Sequence, residues 1–414
     1  MNKTSLLLTG LLTIGLTTQA MAQYPGWQHE SSMYILTTPE GANLPASATE
    51  KDFPVVVRLD KDFFDFSQAK PHGEDIRFSA EGTPLSYQIE QWDAAGGTAS
   101  IWVRIPEIRG NARQAIKMHW GKGDAGTESS GKAVFNESNG YCSVFHMNDP
   151  LIDEVGTAVA TNHGATPSAG IIGQGRHFKD GQYLHCGDKI KGFPSGGGDM
   201  TTEAWIRAER EGWVVDWGRP GGAQENGLRM LSPAVIKNDC WLNGVEGKSM
   251  RSLGQWYHCV VAYRDGNMSL YVNGEQDGIA TFKLNVPESV YMRIGKRHNG
   301  DDYGMQWWYG DVDEVRISKV ARSADWIRME YENQKPMQTL VGPIVRQGNT
   351  FFVPDTQLTV QEGKSVAVAA KADGALKLYW ITKQAGRETI AAVDRFTFNF
   401  DAGRVRGDQT LTLQ

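Results

Sequence analysis

Beyond its first two dozen residues the chain has no apolar run of the length a membrane-crossing helix needs, and its 414 residues contain only four cysteines. A helical span takes roughly 20 consecutive apolar residues, so no helical crossing is expected in the remainder. Charge of one sign is scarce as well. There are 42 Lys and Arg against 48 Asp and Glu, a formal net charge of -6 with no basic cluster, and that balance argues against a nucleic-acid partner. The sequence has no Gly-x-Ser-x-Gly, His-Glu-x-x-His, Cys-x-x-Cys or P-loop pattern, which removes the commonest signatures of hydrolases, zinc proteases, thiol redox sites and nucleotide binding. The nine histidines show no metal-ligand spacing, and no fixed-period repeat or low-complexity tract is present. What the chain does have is 47 glycines and 13 tryptophans with few helix-periodic segments, a composition of many short strands and turns.

The first residues read as an export signal. Lys3 supplies the positive region, Ser5 to Leu16 a short apolar stretch, and Ala20-Met21-Ala22 a small-x-small cleavage site. Residues 1–22 are therefore expected to be removed, and no cysteine lies nearby to carry a lipid anchor. This places the protein in the periplasm, in the cell envelope or outside the cell. In an exported protein Cys142, Cys186, Cys240 and Cys259 suggest disulfides, with three possible connectivities. The alternative is four small buried hydrophobes; bridges are favoured because Cys240 and Cys259 fall in predicted sheet segments of one domain.

The clearest structural signal is Trp256 to Val272, followed by Asn273-Gly274. Trp256, His258, Val260 and Ala262 alternate with Tyr257, Cys259, Val261 and Tyr263, so both faces are largely apolar and the strand is expected in the middle of a sandwich. Asp265-Gly266 and Asn273-Gly274 are the turns of two successive hairpins.

Three regions follow from the spacing of such patterns. Residues 23–135 read as a small antiparallel β domain, with strands around 54–59, 75–78, 85–90 and 100–105. Its phrases FPVVVRLD, GEDIRFSAEGTPLSYQIEQWD, ASIWVRIPEI and MHWGK resemble a bacterial domain of unknown function found in exported proteins, some linked to ExbB/TolQ biopolymer transport. The polar stretch 121–140 is expected to be a linker. Residues 136–335 carry FKDGQYLHCGD, MTTEAWIRA, GQWYHCVVAYRDGNMSLYVNGE, RIGKR and YGDVDEVRIS in the order of a laminin-G-like, concanavalin A-like lectin/glucanase domain, and they resemble it throughout. The resemblance implies a two-sheet jelly-roll sandwich that binds glycans or proteins and in a minority of members hydrolyses glycosides. A helix capped by Ser323, with Trp326, Ile327 and Tyr331 inward, is expected to close it. Residues 343–414 resemble an immunoglobulin-like segment with Trp380 as core tryptophan. It has no cysteine pair, and because the sequence stops within the strand pattern of Thr410 to Leu413, the chain is expected to be a fragment of a longer protein. The fold class is thus all-β, three β modules in series.

The resemblance to glucanases implies an acid pair of the form Glu-x-Asp followed by Glu, and no such pattern occurs. Asp311-Val312-Asp313-Glu314 comes nearest, but simple alternation sets Glu314 opposite both aspartates. The same alternation groups Asp313 with Val315 and Ile317, pointing its carboxylate inward. Calcium held with Asp149 or Asp153 would compensate it, as would hydrogen bonds from loop amides, which are the favoured reading. In the first domain Glu74, Asp75, Glu90 and Asp93 are expected to be solvated or paired with Arg77 and Arg104. Asp301, Asp302, Tyr303 and Trp307 combine hydroxyl-binding and ring-stacking chemistry in one loop and are the candidate ligand residues, with Trp308 or Tyr309 assigned to the core. Together these observations point to an exported, non-enzymatic binding or adhesion protein for a glycan or a cell-surface protein. Two alternatives remain, an accessory of an envelope biopolymer-transport complex and a glycoside hydrolase.

Overall fold

The computed structural model describes residues 3–8, 24–232, 234–298, 307–342, 344–345, 351–352, 357–372, 379–384, 387–393, 395–404, 406 and 409–413. Antiparallel pairing dominates, as the alternating patterns predict. In the first region His29–Leu36, Arg113–Trp120, Arg77–Ala80 and Thr83–Leu85 form one sheet, and Thr49–Asp60, Thr98–Arg109 and Tyr87–Asp93 another. Phe53, Val55, Phe78, Ile101, Val103 and Met118 contribute to the core the two sheets share.

The stretch expected as a linker is packed instead. Ser130 caps a helical turn at Gly131–Val134, Asn136 caps a second turn at Glu137–Asn139, and Val134 and Phe135 are buried in the first region's core. A polar composition concealed two large apolar anchors here.

The second region is a two-sheet sandwich. The front sheet runs in the order Thr161–His163, Tyr183–Ile190, Val290–Ile294, Gly212–Gly218, Glu225–Leu231, Val235–Asp239, Gly244–Met250. The back sheet runs Thr166–Ala169, Gln174–Phe178, Gly310–Ser318, Met200–Ala208, Trp256–Arg264, Asn267–Val272, Glu275–Thr281, and Tyr141–Phe145 also pairs with Gly310–Ser318. Both expected hairpins form, with Asp265, Gly266, Asn273 and Gly274 at φ of 49°, 79°, 53° and 78°. Trp217, Leu228, Met230, Val261, Leu270 and Ile317 lie in the core between the sheets.

That core also contains all four cysteines, each a buried free thiol. The expectation of bridges is corrected: the thiols act as small apolar fillers, and burial pushes Cys142 and Cys259 up to about 12.

The register of Gly310–Ser318 also departs from simple alternation. Glu203 pairs with Arg316 and Trp205 with Asp313, so one extra residue sits between them, and Glu314 takes a φ of 50°. This β-bulge advances the pattern by one. Val312, Val315 and Ile317 point into the core, whereas Asp313 lies on the back sheet's outer side with Trp205.

The outer side of the back sheet is covered. The helix Ala324–Gln334, capped by the Ser323 hydroxyl, packs between it and the first region. Trp326 meets Phe53 edge-on at 4.6 Å. Asn333 accepts from Val56 N at 2.7 Å and donates to Val56 O at 2.9 Å, taking the place of a neighbouring strand. Arg58 donates to the carbonyls of Asn333 and Gln334 at 2.9 and 2.6 Å. One core therefore runs through the first region, Phe135, Tyr141, Trp326 and Val341.

In the third region Gln357–Gln361, Lys3–Leu8, Thr410–Leu413, Tyr379–Gln384 and Arg387–Val393 form a five-stranded sheet, with Trp380 in a small core beside Val368 and Leu413. Lys3–Leu8, at the start of the segment read as an export signal, is thus a strand, parallel to Thr410–Leu413 and antiparallel to Gln357–Gln361; the rest of that segment lies outside the described residues.

Candidate functional site

With the back of the sandwich covered, the front sheet offers its outer face. Leu184 and Cys186 turn into the core, which turns Tyr183 and His185 outward. His163, exposed and directly across from Tyr183, stacks on it with centroids 4.4 Å apart. The half-buried Trp307 ring stands 5.9 Å from Tyr183. The Lys296 ammonium lies 4.9 Å from the Tyr183 centroid and 4.5 Å from that of Trp307, a cation–π arrangement that fixes both rings. Of the four predicted ligand residues, Trp307 is therefore placed in an aromatic cluster at the rim of this face. Asp301, Asp302 and Tyr303 lie outside the described residues. Trp308 is fully buried, and Tyr309 carries the Arg210 guanidinium 3.4 Å above its ring.

The same loop leaves the face at His298. Its N–H donates to Asp216 Oδ2 at 2.7 Å, and its ring stacks on Tyr291 at 3.8 Å. The Tyr291 hydroxyl lies 3.1 Å from Asp216 and 3.4 Å from Glu225. Arg297 takes both Glu225 oxygens, at 2.9 and 2.8 Å, while its guanidinium stacks 4.6 Å from Trp213 and 4.9 Å from Trp241. Gly227 allows this arrangement, because a Cβ there would come within 2.0 Å of the Trp213 ring. Burial and then the Glu225 charge push Asp216 well above its ordinary range, whereas Glu225 is held by Arg297.

Two carboxyls in unlike settings are what acid/base chemistry uses. Here both groups are buried, and three of their four oxygens are taken by Arg297, Tyr291 and His298. The pair fits an anchor for the loop's root. Sequence spacing could not expose it, because the two residues meet only through the hairpin in which Asp216 pairs with Gly227 and Gly218 with Glu225.

A second ionisable cluster lies where the first region meets the back sheet. His146 Nδ1 is 2.7 Å from Glu314 and 3.6 Å from Glu90, and its Nε2 is 3.2 Å from Gln88 Oε1. Trp102 and Asn148 donate to Glu90 at 2.5 and 3.1 Å, and Arg316 donates to Glu314 at 2.6 Å. Acceptors face both ring nitrogens, an arrangement that suits an imidazolium. Burial alone would lower His146, but Glu314 and Glu90 outweigh it and hold it at about 9. Burial raises Glu90 to about 7, whereas the charges of His146 and Arg316 overcome burial to lower Glu314.

Glu90 was among the carboxylates expected to be solvated or paired with Arg77 and Arg104. Those arginines pair instead with Glu128 and Asp52, at 2.9 Å each. Asp75 binds the amides of Lys70, Gly121 and Lys122. Glu90 alone of the four reaches the junction.

The calcium candidates are held by protein donors. Asp313 Oδ2 accepts from the amides of Ile171 and Ile172 at 2.7 and 3.0 Å, and Oδ1 from Glu314 N at 2.9 Å. Asp153 accepts from Val144, Val155, Thr157 and Ala158, and Asp149 pairs with Arg176. The loop-amide reading accounts for Asp313. Its inward direction is corrected by the bulge. None of the three belongs to the two groups of ligating side chains, Glu90/His146/Glu314 and Glu203/His258/Glu330, whose atoms converge within 4.8 Å among the described residues.

Residues 178–328 match the sequence model of the concanavalin A-like lectin/glucanases superfamily, and residues 72–143 match that of a domain of unknown function, DUF2341. The central sandwich is thus a concanavalin A-like domain preceded by a DUF2341 domain. No curated protein sequence matches the chain. Among solved structures, domain 4 of an extracellular arabinanase from Geobacillus stearothermophilus, in complex with arabinotriose, is 15% identical with a TM-score of 0.37, over 46% of this chain and 98% of that one. The botulinum neurotoxin serotype C1 binding domain is 12% identical with a TM-score of 0.37, over 47% and 52%. A heptameric SAP-like pentraxin from Limulus polyphemus is 14% identical with a TM-score of 0.31, over 46% and 89%.

Proposed function

We propose that this chain is an exported, non-enzymatic binding protein whose concanavalin A-like domain recognises a glycan at the rim of its front sheet. The observation that carries this reading is the aromatic cluster of His163, Tyr183 and Trp307, partly exposed and braced by Lys296; Asp301, Asp302 and Tyr303 precede Trp307 by a few residues in the sequence. Ring faces take the apolar C–H surface of a sugar, and the two aspartates take its hydroxyls. Burial of Asp216 and Glu225 supports binding over hydrolysis, since neither carboxyl has an open approach for a scissile bond. The leader pattern of residues 1–22 supports export.

A glycan array probed with the full chain, with and without calcium, tests the reading. Trp307→Ala should weaken the best hit by about tenfold, the loss of roughly 1.4 kcal/mol. An array without hits, or a Trp307→Ala variant of unchanged affinity, would refute glycan recognition at this rim. Release of reducing sugar that disappears in Glu225→Gln would replace it with the hydrolase reading.

A further inference from the structure

Behind the sandwich, where the helix Ala324–Gln334 meets the back sheet, three side chains from three elements converge: Glu203 from Met200–Ala208, His258 from Trp256–Arg264 and Glu330 from the helix. Their ligating atoms lie within 4.8 Å of one another, and the residues are only 3%, 1% and 1% exposed. Glu203 and Glu330 face each other as a close carboxyl pair, and beyond that contact neither Glu330 oxygen has a hydrogen-bond partner, nor does His258 Nδ1. The Arg316 Nη1 atom stands 3.4 Å from Glu203 and 3.6 Å from Glu330 and also lacks a hydrogen bond.

Unpaired polar atoms this deeply enclosed are costly unless something sits among them. Two carboxylates and an imidazole nitrogen turned toward one point attract a cation. The His258 ring is held against Trp205 at 5.1 Å, which stacks in turn on Tyr331 at 5.9 Å, so its orientation is set before any ion arrives.

We propose that Glu203, His258 and Glu330 form a structural site for one divalent cation of the zinc type. One nitrogen and two carboxylate oxygens are a common zinc donor set. Ligands of a tetrahedral zinc stand about 3.4 Å apart, so modest side-chain adjustment closes the group, and a water completes the coordination. Arg316 Nη1 is then placed to donate to the carboxylate oxygens the ion leaves free. The ion would tie the helix to two strands of the back sheet. The same helix grips Val56 of the first domain through Asn333, so the metal would fasten the two domains to each other.

The full chain, unfolded and refolded with zinc and then dialysed, should retain about one equivalent by elemental analysis, and dipicolinate should lower its Tm by about 3 °C or more. Glu330→Gln should retain less than a tenth of an equivalent. His146→Gln, which alters the neighbouring cluster, should keep the full equivalent. Wild type without retained zinc, or Glu330→Gln with the full complement, would overturn the site. Retention lost only in His146→Gln would likewise overturn it and move the metal to Glu90, His146 and Glu314. None of these outcomes depends on whether a glycan binds the front face.

Discussion

Alkaline pH should loosen the junction between the first domain and the sandwich, and His146 sets the size of the effect. Its side chain is 3% exposed and faces Glu314, Glu90, Glu154 and Gln88, with Arg316 behind Glu314. The folded state holds its proton to about 9, against 6.5 for an unperturbed histidine. The stabilisation is therefore complete below pH 6.5 and is lost as pH rises through 9, a decline of about 3 kcal/mol at about 1.4 kcal/mol per pH unit. Glu90, raised to about 7, adds a loss of the same sign that is finished by then. His119, His258 and His298 are lowered by burial, so their contribution has the opposite sign and falls below pH 6.5. Urea unfolding followed by tryptophan fluorescence from pH 7 to 9 should show the fall in wild type. In His146→Gln the stability should be lower at pH 7 and fall less steeply toward pH 9 than in wild type by the His146 share, the remaining slope belonging to the raised carboxyls of Glu203, Asp216 and Asp313. A wild type without the slope, or a variant that keeps all of it, would refute the imidazolium assignment.

Two further outcomes follow from the packing. Asn333→Ala leaves both the Val56 amide and carbonyl unpaired in a buried strand, so it should cost about 2–4 kcal/mol in urea unfolding, and a change below about 0.5 kcal/mol would show that the strand does not rely on it. The four core cysteines should resist a thiol reagent in the native protein and titrate as four thiols in denaturant without reductant; fewer than four would restore a disulfide.

The hairpins, the capped helix and the core tryptophan of the third region were legible because local chemistry specifies them. Asn273-Gly274 adopts its turn wherever it stands, and Ser323 caps the helix from three residues away. The junction was not legible. Reading Asp313 inward assumed uninterrupted alternation, and the Glu314 bulge depends on how Met200–Ala208 pairs across the sheet. Val134 and Phe135 look incidental within a polar stretch until the core that receives them is known. At the candidate rim Trp307 was found by its residue type, whereas Tyr183, His163 and Lys296 come from distant stretches that only the folded sheet unites. Asp216 and Glu225 escaped any one-strand motif search for the same reason.

Because Phe135, Trp102 and Asn333 knit the two modules back to back, the molecule resists dissection. A polypeptide started at residue 136 would bare Tyr141, Val144, Trp326 and Met329, and strip Trp102 and Phe135 from Arg316, so it should precipitate or melt early. A piece running from residue 24 through Ile344 keeps that seam intact and should unfold in a single step, so the natural unit for expression is the joined pair.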